Sequence, residues 1–289
     1  KTQLTTFNNI KQDEYSSYFD SNLDVLACKN GLINLKTGEL MELKKEHKMT
    51  VAVPTIYDPK ADTTEVEEIL GGVFGDLLPF IQEWYGAGIT GHNNSNKILI
   101  HLGKGSNFKS TLMNWLNDTL GNKIHYVMQI EGLTSKGGNN DYLYYAKDSR
   151  IITISESDKN DKLGRTFKSL TGTDKIQVMA KFKPPISFDP KYNLNLMTNH
   201  KPTLDDDLAV FKRVWLLPYH NVYVDENDKI DMMRITQEMR DKKWVKSKDP
   251  NMRERLTKLT VPFLKWLVDG SIKYYKNKKR IVAPDEVQW

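Results

Sequence analysis

Apolar residues recur along the chain with two different periods, and the change of period divides it into parts. Up to about residue 60, β-type residues alternate with turn signals, an Asn-Gly pair at 30 and 31 and a Thr-Gly pair at 37 and 38, which predicts short strands. Two helical patterns follow, one from Thr63 and one over about 77 to 90. The first part is therefore expected to be a small α+β region.

The middle of the chain contains four apolar runs at 97–102, 150–155, 192–198 and 213–219, and the first two are separated by helical or irregular material. Strands that alternate with helical segments are typical of an α/β core. After Tyr223 the pattern becomes charged and helical. We predict an amino-terminal region over 1–90, an α/β core over 91–222 and a helical carboxyl-terminal region over 223–289.

Composition narrows the class of protein only slightly. Hydrophobic residues make up 39% of 289, charged residues 27%, and the net charge of +5 permits an anionic partner. A single cysteine, Cys28, excludes an internal disulfide and a cysteine-rich zinc site, which favours a reducing cytoplasmic location. No run is long and apolar enough to span a bilayer, so we expect a soluble protein. The first residue is not Met, which suggests a piece of a longer polypeptide.

The segment His101–Thr111, "HLGKGSNFKST", is the strongest chemical signal. It follows an apolar run and precedes leucines spaced by four, which predicts a strand, a loop and a helix that ends near Gly121. Glycines followed by lysine and hydroxyls are typical of a loop that binds phosphate through backbone N–H groups, with Lys109 on the phosphates and Ser110 on Mg²⁺. The candidate nucleotide-binding residues are Gly103, Gly105, Ser106, Asn107, Phe108, Lys109, Ser110 and Thr111.

Phe108 stands where the phosphate-loop pattern has glycine. A side chain there keeps the backbone N–H but restricts φ and ψ and could crowd the phosphates. Hydrolysis is therefore more in question than nucleotide binding. The segment by itself is also compatible with an ordinary glycine-rich turn.

Three residues farther along stand where such a loop needs partners. Glu156 directly follows the apolar run at 150–155 and would hold Mg²⁺ and polarise water. Asn199 directly follows the run at 192–198 and would contact the γ-phosphate. Arg213 is the first residue of the last run and would neutralise charge in the transition state. Taken singly, they could be a solvated acid, a turn former and a surface cation.

The ordered series "HLGKGSNFKST", "IITISES", "FKSLTGTDKI", "NLMTNHKP" and "FKRVWLLPY" resembles the superfamily 3 helicase domain of phage, plasmid and poxvirus-type helicase-primases. Together with "YFDSNLDVLACKNGLINLKTGEL", which resembles the short domain before that helicase, the match covers roughly residues 15 to 220. The resemblance implies an AAA+ type P-loop core. Its departures are Phe108 and the Lys-Arg pair at 212 and 213, where two arginines are usual.

By this resemblance Lys109 and Ser110 bind phosphate and Mg²⁺, Glu156 is the Walker B acid and a metal ligand, Asn199 is sensor 1, and Arg213 acts on a neighbouring subunit. The implied cofactors are ATP and Mg²⁺. The implied partners are single-stranded DNA in a central channel, further copies in a ring, expected to be a hexamer, and a primase or polymerase domain on the same polypeptide.

The segment "QVMAKFKPPISFDP" (177–190) alternates apolar residues with lysines and then has two prolines, which predicts a strand turning into a hairpin. Family members place such a hairpin in the central channel, so Lys181, Phe182 and Lys183 are the candidate DNA-binding residues. An edge hairpin with solvated lysines is the plain alternative.

We interpret the chain as an ATP-dependent DNA helicase module of a viral, phage or mobile-element replication protein, acting inside the host cell. One alternative is a DNA-binding ring-assembly module in which Phe108 has weakened or removed ATP hydrolysis. Another is a small-molecule kinase or ATPase that shares only the phosphate loop.

Overall fold

The structure is a computed structural model that describes residues 18–92, 95–129, 141–155, 162–163, 170–204 and 208–289. Its centre is a five-stranded parallel sheet, flanked on one side by a small amino-terminal sheet and by helices from both ends of the chain. Among the described residues, no helix combines the length and the apolar character needed to cross a bilayer.

The amino-terminal sheet has the strand order β3-β2-β1-β4. β1 and β2 form the predicted hairpin, with Lys29 and Asn30 as its turn, and β4 returns parallel to β1. The strands are β1 (Val25–Cys28), β2 (Gly31–Asn34), β3 (Leu40–Met41) and β4 (Ala52–Val53).

Two helices connect this sheet to the centre, α1 (Thr64–Phe74) and α2 (Leu78–Thr90), as their apolar periodicity predicted. α2 is buried over most of its length because the long helix α9 (Thr260–Lys276) packs along it. The two backbones touch at Gly86 and Gly270, since a Cβ on Gly270 would lie only 2.1 Å from the backbone oxygen of Gln82.

The central sheet has the order β13-β5-β11-β7-β6, and every neighbouring pair is parallel. Its strands are β5 (Ile98–Leu102), β6 (His125–Gln129), β7 (Ile151–Ser155), β11 (Asn193–Thr198) and β13 (Val214–Pro218). The four apolar runs of the sequence are therefore strands. β6 was not predicted.

Register aligns the carboxyl ends of the three inner strands. Thr198 lies beside Leu102, and Met197 lies beside Ser155. Because parallel strands end at the same edge, the loop after β5 and the residue after β11 emerge side by side. This edge is where ligands bind in open α/β sheets.

The remaining elements lie around this sheet. α3 (Lys109–Ile124) follows β5 and loses helical geometry at Gly121, where the predicted stop lies. The others are α4 (Asp141–Ala146), β8 (Lys162–Leu163), β9 (Ile176–Val178), β10 (Ile186–Phe188), β12 (Thr203–Leu204), α5 (Leu208–Phe211), β14 (Val222–Val224), α6 (Lys229–Met233), α7 (Gln237–Asp241), β15 (Val245–Ser247) and α8 (Met252–Lys258).

The region over 223–289, predicted to be helical, also contains a strand. β15 pairs in parallel with β14 and encloses α6 and α7, so the first part of this region is a small α/β unit. The largest hydrophobic cluster contains residues from the amino-terminal sheet, the central core and α9. Trp115 of α3 stacks on Phe263 of α9 with ring centroids 3.9 Å apart.

Candidate nucleotide-binding site

The loop Gly103–Phe108 connects the buried strand β5 to the first turn of α3, and its backbone bends through left-handed conformations. Gly105 has a φ of +88°, Ser106 of +50° and Phe108 of +74°. Ordinary side chains disfavour this region, so the loop has a specific shape that its surroundings must stabilise. We call residues 103–108 the phosphate loop.

Phe108 adopts the left-handed conformation that glycine would adopt most easily. Its carbonyl accepts the first bond of α3 from Leu112 N–H at 2.8 Å. The residue is only 8% exposed, and its ring packs in the main hydrophobic cluster, 6.3 Å from the ring of Tyr223. The side chain therefore contributes to the core, although the residue also borders the cleft described below.

Lys109 is the buried cation of the site. Its Nζ donates to the carbonyl oxygen of Gly103 at 2.6 Å, to Asn107 Oδ1 at 3.0 Å and to Asn199 Oδ1 at 3.2 Å. The ammonium group lies 6.0 Å from the centre of the Tyr219 ring. The structure thus brings together the lysine and the asparagine that the sequence placed 90 residues apart.

A cleft of about 400 Å³ opens over these groups. It is lined by Gly105, Ser106, Asn107, Phe108, Lys109, Ser110, Thr111, Met113, Ser155, Met197, Thr198 and Asn199. The volume is in the range of small-molecule sites. An exposed hydroxyl at Ser110 beside a buried ammonium suits Mg²⁺ and phosphate oxygens, so the donor set fits the expected ligands.

Two further features of the loop fit an anionic ligand. A Cβ on Gly103 would lie 1.9 Å from Asn107 Nδ2 and 2.8 Å from the Cβ of Tyr219, so only glycine leaves room here. Asn107 Nδ2 is buried and has no hydrogen-bond partner among the described residues. A buried amide donor without an acceptor is costly, and a bound oxygen atom would satisfy it.

A buried polar network lies directly under the loop, centred on His101 of β5. Its Nε2 lies 3.2 Å from Asn195 Oδ1 and its Nδ1 lies 2.9 Å from the Tyr219 hydroxyl. Because Asn195 Nδ2 donates to the carbonyl of Ile152, its Oδ1 is the acceptor, which assigns the proton to Nε2 of His101. Burial lowers the pKa of His101 to about 3, so the ring is neutral at pH 7.

Glu156 lies outside the described residues, and its role as the Walker B acid and metal ligand stays a prediction. Ser155, which precedes it, ends β7 at the edge of the sheet that carries the phosphate loop and lines the cleft.

Arg213 lies at the opposite edge of the sheet. It precedes β13, whose first residue is beside Ile98, and its Nη1 donates to Thr171 Oγ1 at 3.0 Å. The five strand residues of β5 separate this edge from the phosphate loop by roughly 16 Å. Arg213 and the phosphate loop of the same chain are therefore not brought together.

The predicted hairpin is formed by β9 and β10, which pair antiparallel from Ile176 to Phe188. All three candidate DNA-binding residues lie in the turn between them. Phe182 is 92% exposed with a φ of +61°, and Lys181 Nζ lies 5.1 Å from its ring centre.

Sequence reasoning missed three residues that contact this site. Tyr219 and His101 form the buried network, and the only sequence signal was a histidine inside an apolar run. Arg234 of the segment after α6 contacts the outer side of the phosphate loop, donating to the carbonyl of Lys104 at 2.7 Å. Nothing local marks an arginine 130 residues from its acceptor.

Comparisons with known proteins relate the chain to two sequence families and to a viral protein. Residues 8–75 match the family described as "D5 N terminal like", and residues 101–213 match a family of unknown function, DUF5906. A protein of Acanthamoeba polyphaga mimivirus, provisionally named helicase L207/L206, is 24% identical over 279 residues, which are 91% of this chain and 29% of that protein. The chain thus spans less than a third of this relative.

Solved structures of the C-terminal region of NrS-1 share the fold. One apo structure has a TM-score of 0.58 at 14% identity and covers 93% of this chain and 58% of that one. A second crystal form has a TM-score of 0.57 at 15% identity, covering 84% and 55%. Together with the sequence matches, this likeness confirms the resemblance to the phage and viral helicase-primase family.

Proposed function

We propose that this chain is the ATP-driven motor of a viral or phage replication helicase, with an AAA+ type core of the superfamily 3 class, working inside the host cell. The observation that carries the proposal is the convergence of Lys109 and Asn199 over the cleft. A loop lysine and a polar residue from the adjacent strand end are the pair that positions and senses a terminal phosphate. The similarity to a viral protein named as a helicase supports the same function.

The order of the sheet supports this assignment. β11, which ends at Thr198 directly before Asn199, lies between the phosphate-loop strand β5 and β7, and Glu156 directly follows β7 in the sequence. A ligand in the cleft is therefore approached from one side by Lys109 and from the other by the end of β7. When bound, ATP with Mg²⁺ supplies a phosphoryl bond whose hydrolysis releases free energy.

The protein groups have separable tasks in this proposal. Lys109 and the loop N–H groups hold the phosphate oxygens, and Ser110 and Glu156 hold the metal. Asn199, whose amide already bonds Lys109, changes partner when the terminal phosphate is present. In the structure the Lys109 ammonium donates to Gly103, Asn107 and Asn199, so nucleotide binding exchanges acceptors of this kind for phosphate oxygens.

We further propose that Arg213 acts on the nucleotide of a neighbouring copy. An arginine side chain cannot span the roughly 16 Å of strand between its own sheet edge and its own loop. A role in hydrolysis therefore requires a second subunit, which agrees with a ring, expected to be a hexamer. In this proposal, Arg213 of a neighbouring copy completes the site.

The exposed hairpin tip is the proposed contact to single-stranded DNA. A phenylalanine held 92% exposed between two lysines offers a stacking surface and two cations, which suits a backbone that must slide past. A primase or polymerase domain on the same polypeptide also belongs to the proposal, as the family resemblance implies.

Non-catalytic assembly, the alternative based on Phe108, has less physical support. That alternative assumes that the Phe108 side chain crowds the phosphates. In the structure, the Phe108 ring packs in the hydrophobic core. The backbone reaches the left-handed conformation that glycine would supply.

The test is the ATPase rate with and without single-stranded DNA, for the parent and Lys109→Ala, with Lys104→Ala as the control. Lys104 is an exposed lysine of the same loop, so both changes remove one positive charge. We expect DNA-stimulated turnover in the parent and in Lys104→Ala, and a loss of at least about 100-fold in Lys109→Ala. Turnover that survives Lys109→Ala would sink the site assignment.

A mixture extends the same assay to the proposed interface. Lys109→Ala and Arg213→Ala subunits are each expected to be inactive alone. When mixed, some interfaces combine an intact loop with an intact arginine, and activity returns in part. No recovery in an assembled mixture would contradict the trans role of Arg213.

A further inference from the structure

The phosphate loop has a second set of contacts, in addition to those that Lys109 makes with it. They come from the small α/β unit between β14 and β15, residues 222–247, which we call the outer brace. Its two short helices are capped by side chains: Asp228 accepts from Ile230 N–H at 2.8 Å and Thr236 from Met239 N–H at 3.3 Å. The brace is thus a structured unit and not a loose connection.

The brace bonds two carbonyl groups of the loop. Tyr223 N–H donates to the carbonyl of Ser106 at 2.7 Å, and Arg234 Nη2 donates to the carbonyl of Lys104 at 2.7 Å. Arg234 Nη1 also donates to the Ser106 hydroxyl at 3.2 Å. A Cβ on Gly105 would lie 3.1 Å from Arg234 Nη2, so the guanidinium lies against the loop backbone.

These bonds determine which way the loop amides point. In a planar trans peptide the C=O and the following N–H point in opposite directions. Holding the carbonyls of Lys104 and Ser106 toward the brace therefore turns the N–H groups of Gly105 and Asn107 away from it. Both residues line the cleft, so the N–H groups are presented to a ligand there.

Arg234 is itself held in place. Its Nη1 lies 3.7 Å from Asp231 Oδ1, and the other oxygen of this buried carboxylate accepts from Asp225 N–H at 3.0 Å. The contact with Asp231 fixes the guanidinium within the brace. Less side-chain entropy is therefore lost when the guanidinium forms its two bonds to the loop.

We propose that Arg234 is a positioning residue that holds the phosphate loop in its anion-binding shape. The inference rests on the proposed nucleotide site and adds to it a group that touches the loop and not the nucleotide. The loop needs such support because Ser106 and Phe108 hold left-handed conformations, which persist only where other contacts offset their cost in free energy.

The experiment compares Arg234→Ala and Arg234→Lys with Arg240→Ala, which removes an exposed arginine from the same brace. The first readout is digestion of the nucleotide-free protein by endoproteinase Lys-C, following cleavage after the exposed Lys104. The second is the affinity for ATP and for inorganic tripolyphosphate. Thermal melting establishes that each variant is folded.

We expect Arg234→Ala to speed cleavage after Lys104 and to lower the affinity for ATP and for tripolyphosphate about tenfold. Arg234→Lys restores part of the affinity, because one cation can still bond a single carbonyl, and Arg240→Ala behaves as the parent. A merely structural role would lower the melting temperature without this dependence on phosphate. Unchanged cleavage, or faster cleavage with unchanged affinity, overturns the proposal.

The two proposals can fail separately. If the parent binds neither ATP nor tripolyphosphate, the proposed nucleotide site fails. Cleavage after Lys104 still tests the brace in that case, because it needs no ligand, and equal rates in Arg234→Ala and Arg240→Ala overturn the role of Arg234.

Discussion

Two phenylalanines in this protein share a strained backbone conformation and differ in everything around them. Phe108 has a φ of +74° and is 8% exposed, whereas Phe182 has a φ of +61° and is 92% exposed. A left-handed conformation costs about 1–2 kcal/mol for a residue with a Cβ. Some other contribution must offset this cost at each position.

At Phe108 the offset lies within the chain. The ring packs against Tyr223 and the hydrophobic cluster, and the carbonyl starts α3. At Phe182 the described contacts are a turn bond from Lys183 N–H to Ala180 and the nearby Lys181 ammonium. The difference teaches that packing within the chain offsets the strain at Phe108, whereas the strained Phe182 leaves its ring 92% exposed, where we propose that DNA binds.

Stability measurements test this difference with the largest expected effect. Phe108→Ala removes a buried ring without relieving the backbone, so the free energy of unfolding should fall by about 3 kcal/mol. Phe182→Ala removes an exposed ring and should change it by about 0.5 kcal/mol or less. Chemical denaturation of the two variants gives both values, and similar losses would contradict the assignment of Phe108 to the core.

Low pH should also affect the phosphate-loop region and the hairpin differently. A buried histidine, His101, lies under the loop, whereas the hairpin sequence 176–188 contains no histidine. The folded-state pKa of His101, about 3, lies below its ordinary value of 6.5. Between these two pH values the unfolded chain binds more protons at this residue than the folded chain. The contribution of His101 to the free energy of unfolding is therefore fully present above about pH 6.5 and is lost as the pH falls toward 3.

At pH 5 the loss from His101 should be about 2 kcal/mol relative to pH 7. His101→Asn keeps a polar group near the Tyr219 hydroxyl but cannot take up the proton, so its stability should depend less on pH. Denaturation at pH 7 and pH 5 checks this. Burial also lowers the pKa of His125, to about 4, so part of the dependence should remain in the variant. An identical pH dependence in parent and His101→Asn would refute the prediction.

The sequence could predict those features that depend on local pattern and on strand topology. Strands β5, β7, β11 and β13 follow from their apolar runs, and the alignment of Lys109 with Asn199 follows from parallel strands ending at one edge. These features depend on local pattern and on topology. β6, "HYVMQ", begins and ends with polar residues directly after α3, and its burial depends on the neighbouring strand.

The outcome at Phe108 could not be predicted in the same way. Whether a side chain at that position crowds the cleft depends on the direction of its Cβ bond, which is set by φ and by the space beside Tyr223. The contact of Arg234 with the loop likewise joins residues 130 positions apart. Packing between residues far apart in the sequence determines both features, and the periodicity of apolar residues carries no information about such packing.

The smallest predicted effect concerns DNA and completes the comparison. Phe182→Ala should lower the affinity for single-stranded DNA about tenfold, because base stacking on an aromatic ring contributes about 1–3 kcal/mol to binding. Tyr18→Ala is the matched control: Tyr18 is a partly exposed ring with Lys48 Nζ 3.7 Å from its centre, in the amino-terminal region. Fluorescence anisotropy with a labelled oligonucleotide measures both affinities.

Salt dependence then distinguishes the two kinds of contact at the tip. Phe182→Ala should leave the slope of affinity against salt unchanged, because no phosphate contact is lost. Lys181→Ala should reduce that slope by about 1. If Phe182→Ala and Tyr18→Ala weaken DNA equally, exposure alone accounts for the effect, and the strained conformation of Phe182 has no role in binding.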